Sequence, residues 1–575
     1  MEKMGEEQKQ LLLPKTHVSP KGGFKTLPFI IGSSGLMCMV AAAMGANMIV
    51  YLMKEFHMEM ASASNYIYIF SALSNTAPII GAFMADSLVG RFGMMGFGSI
   101  LFSLGTLLIW LPTAIMQAKP RPCSESSDSC TPATTPQLIL LCTALIMTAV
   151  GCGGVTSSSL AFGADQLKHF QNNASKIESY FSWSYATGSF SAIVGSVGLV
   201  YLQENYGWRL GYGVLVALAL FAVLTFFSGS VWYLRPNPTK NLVNGLFNVM
   251  VASYRNRHIK LFSGDTELQY HSKGSALSHP SDKLRFLNKA CIIQDPERDL
   301  NADGTAVNPW KLCTVDQVEE LKSLIKVIPI WITRIVMSLN ICQGSFAVLQ
   351  ATSLDRHIGS KFQLPAGSVS SFAAVFIVAW IILYDRILLP LASRIRGKTV
   401  HFSTKSRMGC GIFISFLSMA AMATVESMRR AVAINEGYEN NPDGVIHMSI
   451  LWVLPQYALM GFAEGLNGIS QNEFYISEFP KSMSSIASSL CMLSSAIASL
   501  LSSFLMTTID NLTKRGGKES WISSNINKGH YDYLHWVLAG LSITNFLCYL
   551  AFSKAYGPLK DENFEAKATE EDGKA

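Results

Sequence analysis

Twelve apolar runs, each about long enough to cross a bilayer as a helix, leave this 575-residue chain few ways to fold. They fall near 27–52, 64–89, 93–116, 137–161, 177–202 and 209–233. After a polar stretch they resume near 322–350, 367–390, 407–427, 447–471, 483–508 and 533–553. Charged residues make up 15% of the chain, against about 25% in a typical soluble domain. The pattern predicts an all-α membrane protein of about twelve transmembrane helices in two six-helix halves. The net charge of +6 is no nucleic-acid signal, because the excess sits in a few loops. Most of the 11 cysteines lie inside apolar runs and read as small core residues. Residues 1–15 mix acidic and basic groups without a long apolar core, so no cleavable signal peptide is expected there.

The expected organisation is an N-terminal segment 1–26, a first half 27–233, a linker 234–321, a second half 322–553 and a disordered tail 554–575. Two six-helix halves joined by a polar linker is the major facilitator plan, with a substrate site between the halves near the membrane midplane. Arg235, Lys240, Arg255, Arg257, Lys260, Lys283, Arg285 and Lys289 in the linker lie on the same side as Arg394, Arg396, Lys398, Lys405 and Arg407. The positive-inside rule makes that side, and both termini, cytosolic; Lys514, Arg515 and Lys518 run against the bias. On the opposite side Cys123 and Cys130 are either a disulfide or two free thiols, and Asn511 begins an Asn-x-Thr glycosylation pattern. Asn173 begins a similar pattern on the cytosolic side and is discounted. Residues 241–253 read as an interfacial amphipathic helix followed by a mobile loop. Glu7, Leu11 and Leu12 fit an acidic dileucine signal, which leaves the vacuolar and plasma membranes as alternatives. The partners expected are a small-molecule substrate and the lipid bilayer, with no nucleic acid; oligomeric state is left open.

Residues 451–484 hold a carboxylate, Glu464, deep in an apolar run, with Asn467 beside it. A charge at bilayer depth costs about 2.5–3.5 kcal/mol on insertion scales, so it marks either a functional group facing a cavity or an interhelical hydrogen-bonding carboxylate. Pro455-Gln456-Tyr457, Gly461, Glu464, Gln471-x-Glu473-Phe474-Tyr475 and Met483-Ser484 resemble the plant nitrate/peptide transporter family. That family is part of the proton-coupled oligopeptide transporters of the major facilitator superfamily. Gly81-Ala82-x-x-Ala85-Asp86-x-x-x-Gly90-Arg91-Phe92 is similar to the facilitator motif between the second and third helices, which implies a gating role for Asp86 and Arg91. Gly151-x-Gly153-Gly154 with Phe162-Gly163-Ala164-Asp165-Gln166 is similar to the family's fourth helix. Phe181-x-Trp183-x-Tyr185 resembles its fifth, Trp310 to Lys322 the start of its seventh, and Tyr384-Asp385-Arg386 with Pro390 the end of its eighth. The seventh span looks most like a subgroup of nitrate, hormone and specialised-metabolite carriers.

The chain departs from the family at its charged positions. The first-helix Glu-x-x-Glu-Arg/Lys motif falls on Ser34-Gly35-Leu36-Met37-Cys38, the fourth-helix Lys on Thr156, and a seventh-helix His implicated in nitrate binding on Ile341. Losing a buried Lys together with its carboxylates avoids stranding a charge and leaves a neutral site. The expected cavity lining is Ser33, Ser34, Asn47, Asn75, Thr156, Ser157, Tyr185, Asn340, Gln343, Glu464 and Asn467, with Tyr66, Tyr68 and Trp183 available to stack on rings. Such a lining suits neutral or weakly charged organic solutes, such as glycosylated metabolites or hormone-like acids; nitrate is kept as a candidate substrate that lacks its usual cationic partner here. Glu464 is the one deep carboxylate expected to carry proton coupling, and no metal or other cofactor is expected. Enzyme motifs are absent: no His-Glu-x-x-His, no Gly-x-Ser-x-Gly and no nucleotide loop. The function expected is secondary transport, as a proton symporter or a facilitator; the alternative is a non-transporting sensor on the same fold.

Overall fold

The computed structural model describes residues 22–121, 131–167, 173–235, 242–259, 269–272, 279–359, 362–397, 402–480 and 483–558. Glu7, Leu11, Leu12, Cys123 and Cys130 lie outside them. The first half is built from α1 (Leu27–Glu55), α2 (Met60–Met84), α3 (Gly90–Ala114), α4 (Thr135–Asp165), α5 (Asn173–Ile193) and α6 (Trp208–Ser228). A π turn at Val194–Leu199 carries α5 on into Val200–Tyr206. The linker contributes α7 (Leu242–Arg255). The second half holds α8 (Val315–Ile341), α9 (Gly344–Ser353), α10 (Ser371–Leu383, prolonged to Arg396), α11 (Thr404–Asn435), α12 (Leu454–Glu478), α13 (Ser484–Thr513) and α14 (Tyr531–Tyr556). The seventh span is therefore broken, with a turn at Cys342 and Gln343 between α8 and α9.

Among the described residues, ten helical stretches are long and apolar enough to cross a membrane. One of them, Met60–Ala114, contains both α2 and α3, and α12 is missing from the ten because its polar residues, Gln456, Glu464, Asn467 and Gln471 among them, lower its mean hydropathy. Twelve spans result, six on each side of the linker. Local chemistry explains several ends. Thr134 with Gln137 and Thr314 with Gln317 form reciprocal capping boxes at the starts of α4 and α8, satisfying orphan backbone donors. Gly98 and Gly151 let α3 and α4 touch backbone to backbone: a Cβ on Gly98 would stand 2.8 Å from the Gly151 carbonyl oxygen.

The described parts of the linker pack into a core of their own. Leu246, Val249 and Ala252 of α7 share a buried core with Leu287, Ala290, Cys291, Cys313 and the first turns of α8, Val315, Val318 and Leu321. Tyr270 and Ile292 pair as a bridge, and Asn256 donates to the Lys289 and Lys311 carbonyls. Burial pushes the Cys291 and Cys313 thiols up to about 12, as expected of a packed interior. Polar composition hid this core because its apolar residues are spread over more than seventy positions.

Among the described residues, side-chain hydrogen bonds and ion pairs between the halves gather toward the face opposite the linker, with Ser499 donating to Ser71 at 3.1 Å nearer mid-depth. Asn65 of α2 donates to Thr507 of α13 at 2.9 Å and accepts from Ser503. Arg356 pairs with Glu204 at 2.9 Å, and Lys514 with Glu59 at 2.7 Å. Glu204 also accepts the Ala366 amide.

Candidate functional site

Glu464 does not stand alone in a neutral lining. Arg334, on α8, holds it in a two-pronged ion pair: Nη1 donates to Oε2 at 2.7 Å and Nη2 to Oε1 at 2.5 Å. Nη1 also reaches Asn467 Oδ1 at 3.2 Å, and Asn467 Nδ2 is anchored on the Met408 carbonyl of α11. Glu464 and Asn467 lie three residues apart on α12, one turn on one face, so both meet the same guanidinium. Gly411 makes room for Asn467, since a Cβ there would come within 2.8 Å of the asparagine Cβ. Arg334 is 8% exposed and Glu464 25%, so the carboxylate forms the accessible edge of the pair. Arg334 Nε is buried and has no hydrogen-bond partner among the described residues. A fork of this kind reads carboxylate or another planar anion with two parallel hydrogen bonds.

The first half contributes a second surface. Helices α1, α4 and α5 enclose a cleft of about 470 Å³, lined by Ser34, Cys38, Cys152, Thr156, Tyr180 and Tyr185 among others. Among its described lining residues none carries a fixed charge. The positions where the family resemblance implied charge, Ser34, Cys38 and Thr156, meet here. Ser34 and Thr156 spend their hydroxyl protons on the Ile30 and Cys152 carbonyls of their own helices, so each offers an oxygen to a ligand. Trp183 falls outside this lining and is exposed; on a helix it sits about 200° from Tyr185, on the opposite face.

Other expected lining residues are committed elsewhere. Asn47 is fully buried and donates to Gln203 at 3.2 Å, joining α1 to the extension of α5. Asn340 is buried and donates to both Ser415 and Ser542 at 2.8 Å, tying α8 to α11 and α14. Gln343 is buried at the break in the seventh span, its amide nitrogen on the Leu339 carbonyl. Asn75 donates to the Ser71 carbonyl within α2. Asn47 and Asn340 are thus corrected from cavity lining to interhelical bonds: in a membrane bundle a buried amide is satisfied by a neighbouring helix wherever one is in reach. Ser33 is buried, Ser157 turns back onto the Gly154 carbonyl, and Tyr66 is half-buried. Tyr68 is buried against a smaller cavity between the halves, beside Ile341 and Cys342.

At the linker face Arg91 bridges two carboxylates, Asp86 at 3.1 Å and Asp165 at 2.9 Å. Asp165 is almost fully buried at the end of α4, so the pair expected between α2 and α3 is a three-helix clamp. Sequence reading missed both Arg334 and the role of Asp165. A signal for Arg334 existed: it is the one cation in residues 327–353, and a carboxylate at depth needs a partner. A second buried carboxylate, Glu426 of α11, lies beside Arg429, 2.9 Å away, towards the end of its span.

Comparison with known proteins places these features. A family model described as the POT family matches residues 94–522. Protein NRT1/PTR FAMILY 1.2 of Arabidopsis thaliana is 47% identical over 551 residues, covering 94% of this chain and 91% of that protein. Protein NRT1/PTR FAMILY 1.1 of the same plant is 44% identical over 564 residues, covering 97% and 95%. The crystal structure of the POT family transporter PepTSo has a similar fold, with a TM-score of 0.68 at 17% identity, over 92% of this chain and 98% of that one.

Proposed function

Since this chain belongs to the POT family of multi-pass membrane transporters, we propose that it is a secondary carrier of small organic anions, hormone-like acids in class, that works by alternating access. The observation that carries this reading is the buried Arg334 fork, held by Glu464 and left with an Nε donor that meets no acceptor among the described residues. Nitrate has the right charge and planarity for the same fork, but would leave the 470 Å³ neutral cleft unfilled. A ring- or sugar-bearing body fits that cleft against Tyr180 and Tyr185.

The exchange at Arg334 conserves charge. In the empty carrier the guanidinium is neutralised by Glu464. When a monoanion takes the guanidinium, the displaced Glu464 carboxylate takes up one proton from the solution on the same side, and the site is again neutral overall. Leaving a buried charge unpaired at either stage would cost about 3–5 kcal/mol, so proton and anion travel together. Because α8 and α12 belong to the same half, the pair does not itself bridge the two halves. The polar contacts away from the linker and the exposure of Tyr185 and Thr156 fit a carrier open on the linker side. The positive-inside rule makes that side cytosolic.

Uptake in oocytes across external pH, with and without a membrane potential, tests this with nitrate, carboxylate hormones and neutral plant glycosides as substrates. The expected result is acid-stimulated flux of carboxylates that loses its pH dependence in Glu464→Gln. Flux of a neutral glycoside that ignores pH would overturn the coupling. Saturable binding with no flux of any solute would make the protein a sensor instead.

A further inference from the structure

Helix α7 is apolar on two faces. One face, carrying Leu246, Val249 and Ala252, is buried in the linker core. The other carries Phe247, Met250, Val251 and Tyr254 at three- and four-residue spacing, a continuous stripe along the helix. Phe247, Met250 and Tyr254 are 57%, 49% and 69% exposed. Ser253 donates to the Phe286 carbonyl, which brings Phe286, itself 55% exposed, alongside α7. The stripe ends in cations. The Arg257 guanidinium lies over the Tyr254 ring, 4.5 Å from its centre, and Arg255 precedes it. Among the described residues neither arginine forms an ion pair, while the carboxylate next to Phe286, Asp282, faces Arg285 at 3.8 Å.

An exposed aromatic and thioether stripe bordered by arginines is the side-chain chemistry that partitions into a lipid headgroup layer: rings and aliphatics at the acyl boundary, guanidinium groups on phosphates. The location fits. The core beneath α7 includes Val315, Val318 and Leu321, the first turns of α8, and α8 continues into the bilayer as the seventh span. A water-facing surface would gain nothing from such a stripe, and the membrane from which both flanking spans emerge is the nearest apolar phase.

We propose that the outer face of α7 docks on the anionic bilayer leaflet at the linker side. Phe247, Met250 and Tyr254 enter the headgroup layer and Arg255 and Arg257 bind lipid phosphates. Because α7 and the start of α8 share one core, docking holds the end of the helix that carries Arg334, and carrier turnover depends on anionic lipid.

The test places p-benzoyl-phenylalanine at Met250 in the full-length protein, reconstituted in nanodiscs of phosphatidylcholine with or without phosphatidylserine. The same label at Leu220, an exposed position within α6, serves as the positive control, and at Val249 as the buried control. Photolysis is expected to give a lipid adduct at Met250 that increases with the phosphatidylserine fraction. Arg255→Glu with Arg257→Glu is expected to weaken that dependence by roughly tenfold or more while leaving the adduct at Leu220 unchanged. In sealed proteoliposomes of the same two lipid compositions, transport by the double variant should match the parent in phosphatidylcholine alone and lose its stimulation by phosphatidylserine. A Met250 label that joins another part of the same chain or a second protein, or that gives no lipid adduct while Leu220 does, overturns the proposal.

Discussion

Glu426 and Arg429 face each other one turn apart on α11, both without solvent exposure. The carboxylate accepts from Arg429 Nε and Nη2 at 2.9 Å and from Gln350 Nε2 at 2.9 Å, while Arg429 Nη1 donates to Asn527 at 2.7 Å. This knot joins α9, α11 and the loop before α14. Replacing Glu426 with Gln keeps the shape and strands the guanidinium, so thermal unfolding in detergent should reveal a loss of about 3–5 kcal/mol, and an unchanged midpoint would refute the pairing. Arg334 and Glu464 share this chemistry, but one edge of Glu464 is open, which is why that pair is assigned to function and Glu426 to stability. None of this pairing was legible one residue at a time. Glu464 announced itself as a carboxylate in an apolar run. Glu426 lies at the edge of its run, 407–427, and only the structure shows that the helix continues to Asn435 and that Gln350 and Asn527 close over the pair.

Helices α3 and α4 show how an element finds its neighbour in a lipid solvent. With no hydrophobic drive between apolar helices, close approach must come from missing side chains and the contacts that follow. A Cβ on Gly151 would collide with the Phe102 backbone, and one on Gly154 would stand 3.1 Å from the Gly98 Cα. Gly188 of α5 is different: nothing lies within 4 Å of the Cβ it would carry. Gly151→Ala should therefore cost about 1–3 kcal/mol by overpacking. Gly188→Ala should be neutral or stabilising by up to about 1 kcal/mol through reduced backbone freedom. Detergent melts of the two variants check the contrast, and equal effects would mean that α3 and α4 are not in backbone contact. The glycine cluster in the fourth span was visible in sequence. The linker core was not, since Leu246, Cys291 and Val318 acquire an apolar environment only from one another.

Across the whole molecule, two ion pairs between the halves close the face away from the linker, Glu204 with Arg356 and Glu59 with Lys514. Both are partly exposed, so each contributes no more than about 1 kcal/mol to this closed arrangement. Glu204→Gln should shift the carrier toward opening on that face by up to about fivefold, read as faster modification of Cys342 by an impermeant thiol reagent added from that side and located by mass spectrometry. A rate equal to the parent would show that the pair does not latch the halves. The number of spans, the six-and-six division, the polar linker and the depth of Glu464 were determined by the sequence alone, because hydropathy and length are properties of a segment by itself. Tertiary structure decided the rest. It chose Arg334 as the partner of Glu464, added Asp165 to the Arg91 clamp, and turned Asn47 and Asn340 inward while leaving Ser34 and Thr156 on the cleft. Each outcome depends on which helices become neighbours and how each is rotated about its axis. A buried polar group is satisfied by whatever lies within about 3 Å, and that distance is set only when the helices pack.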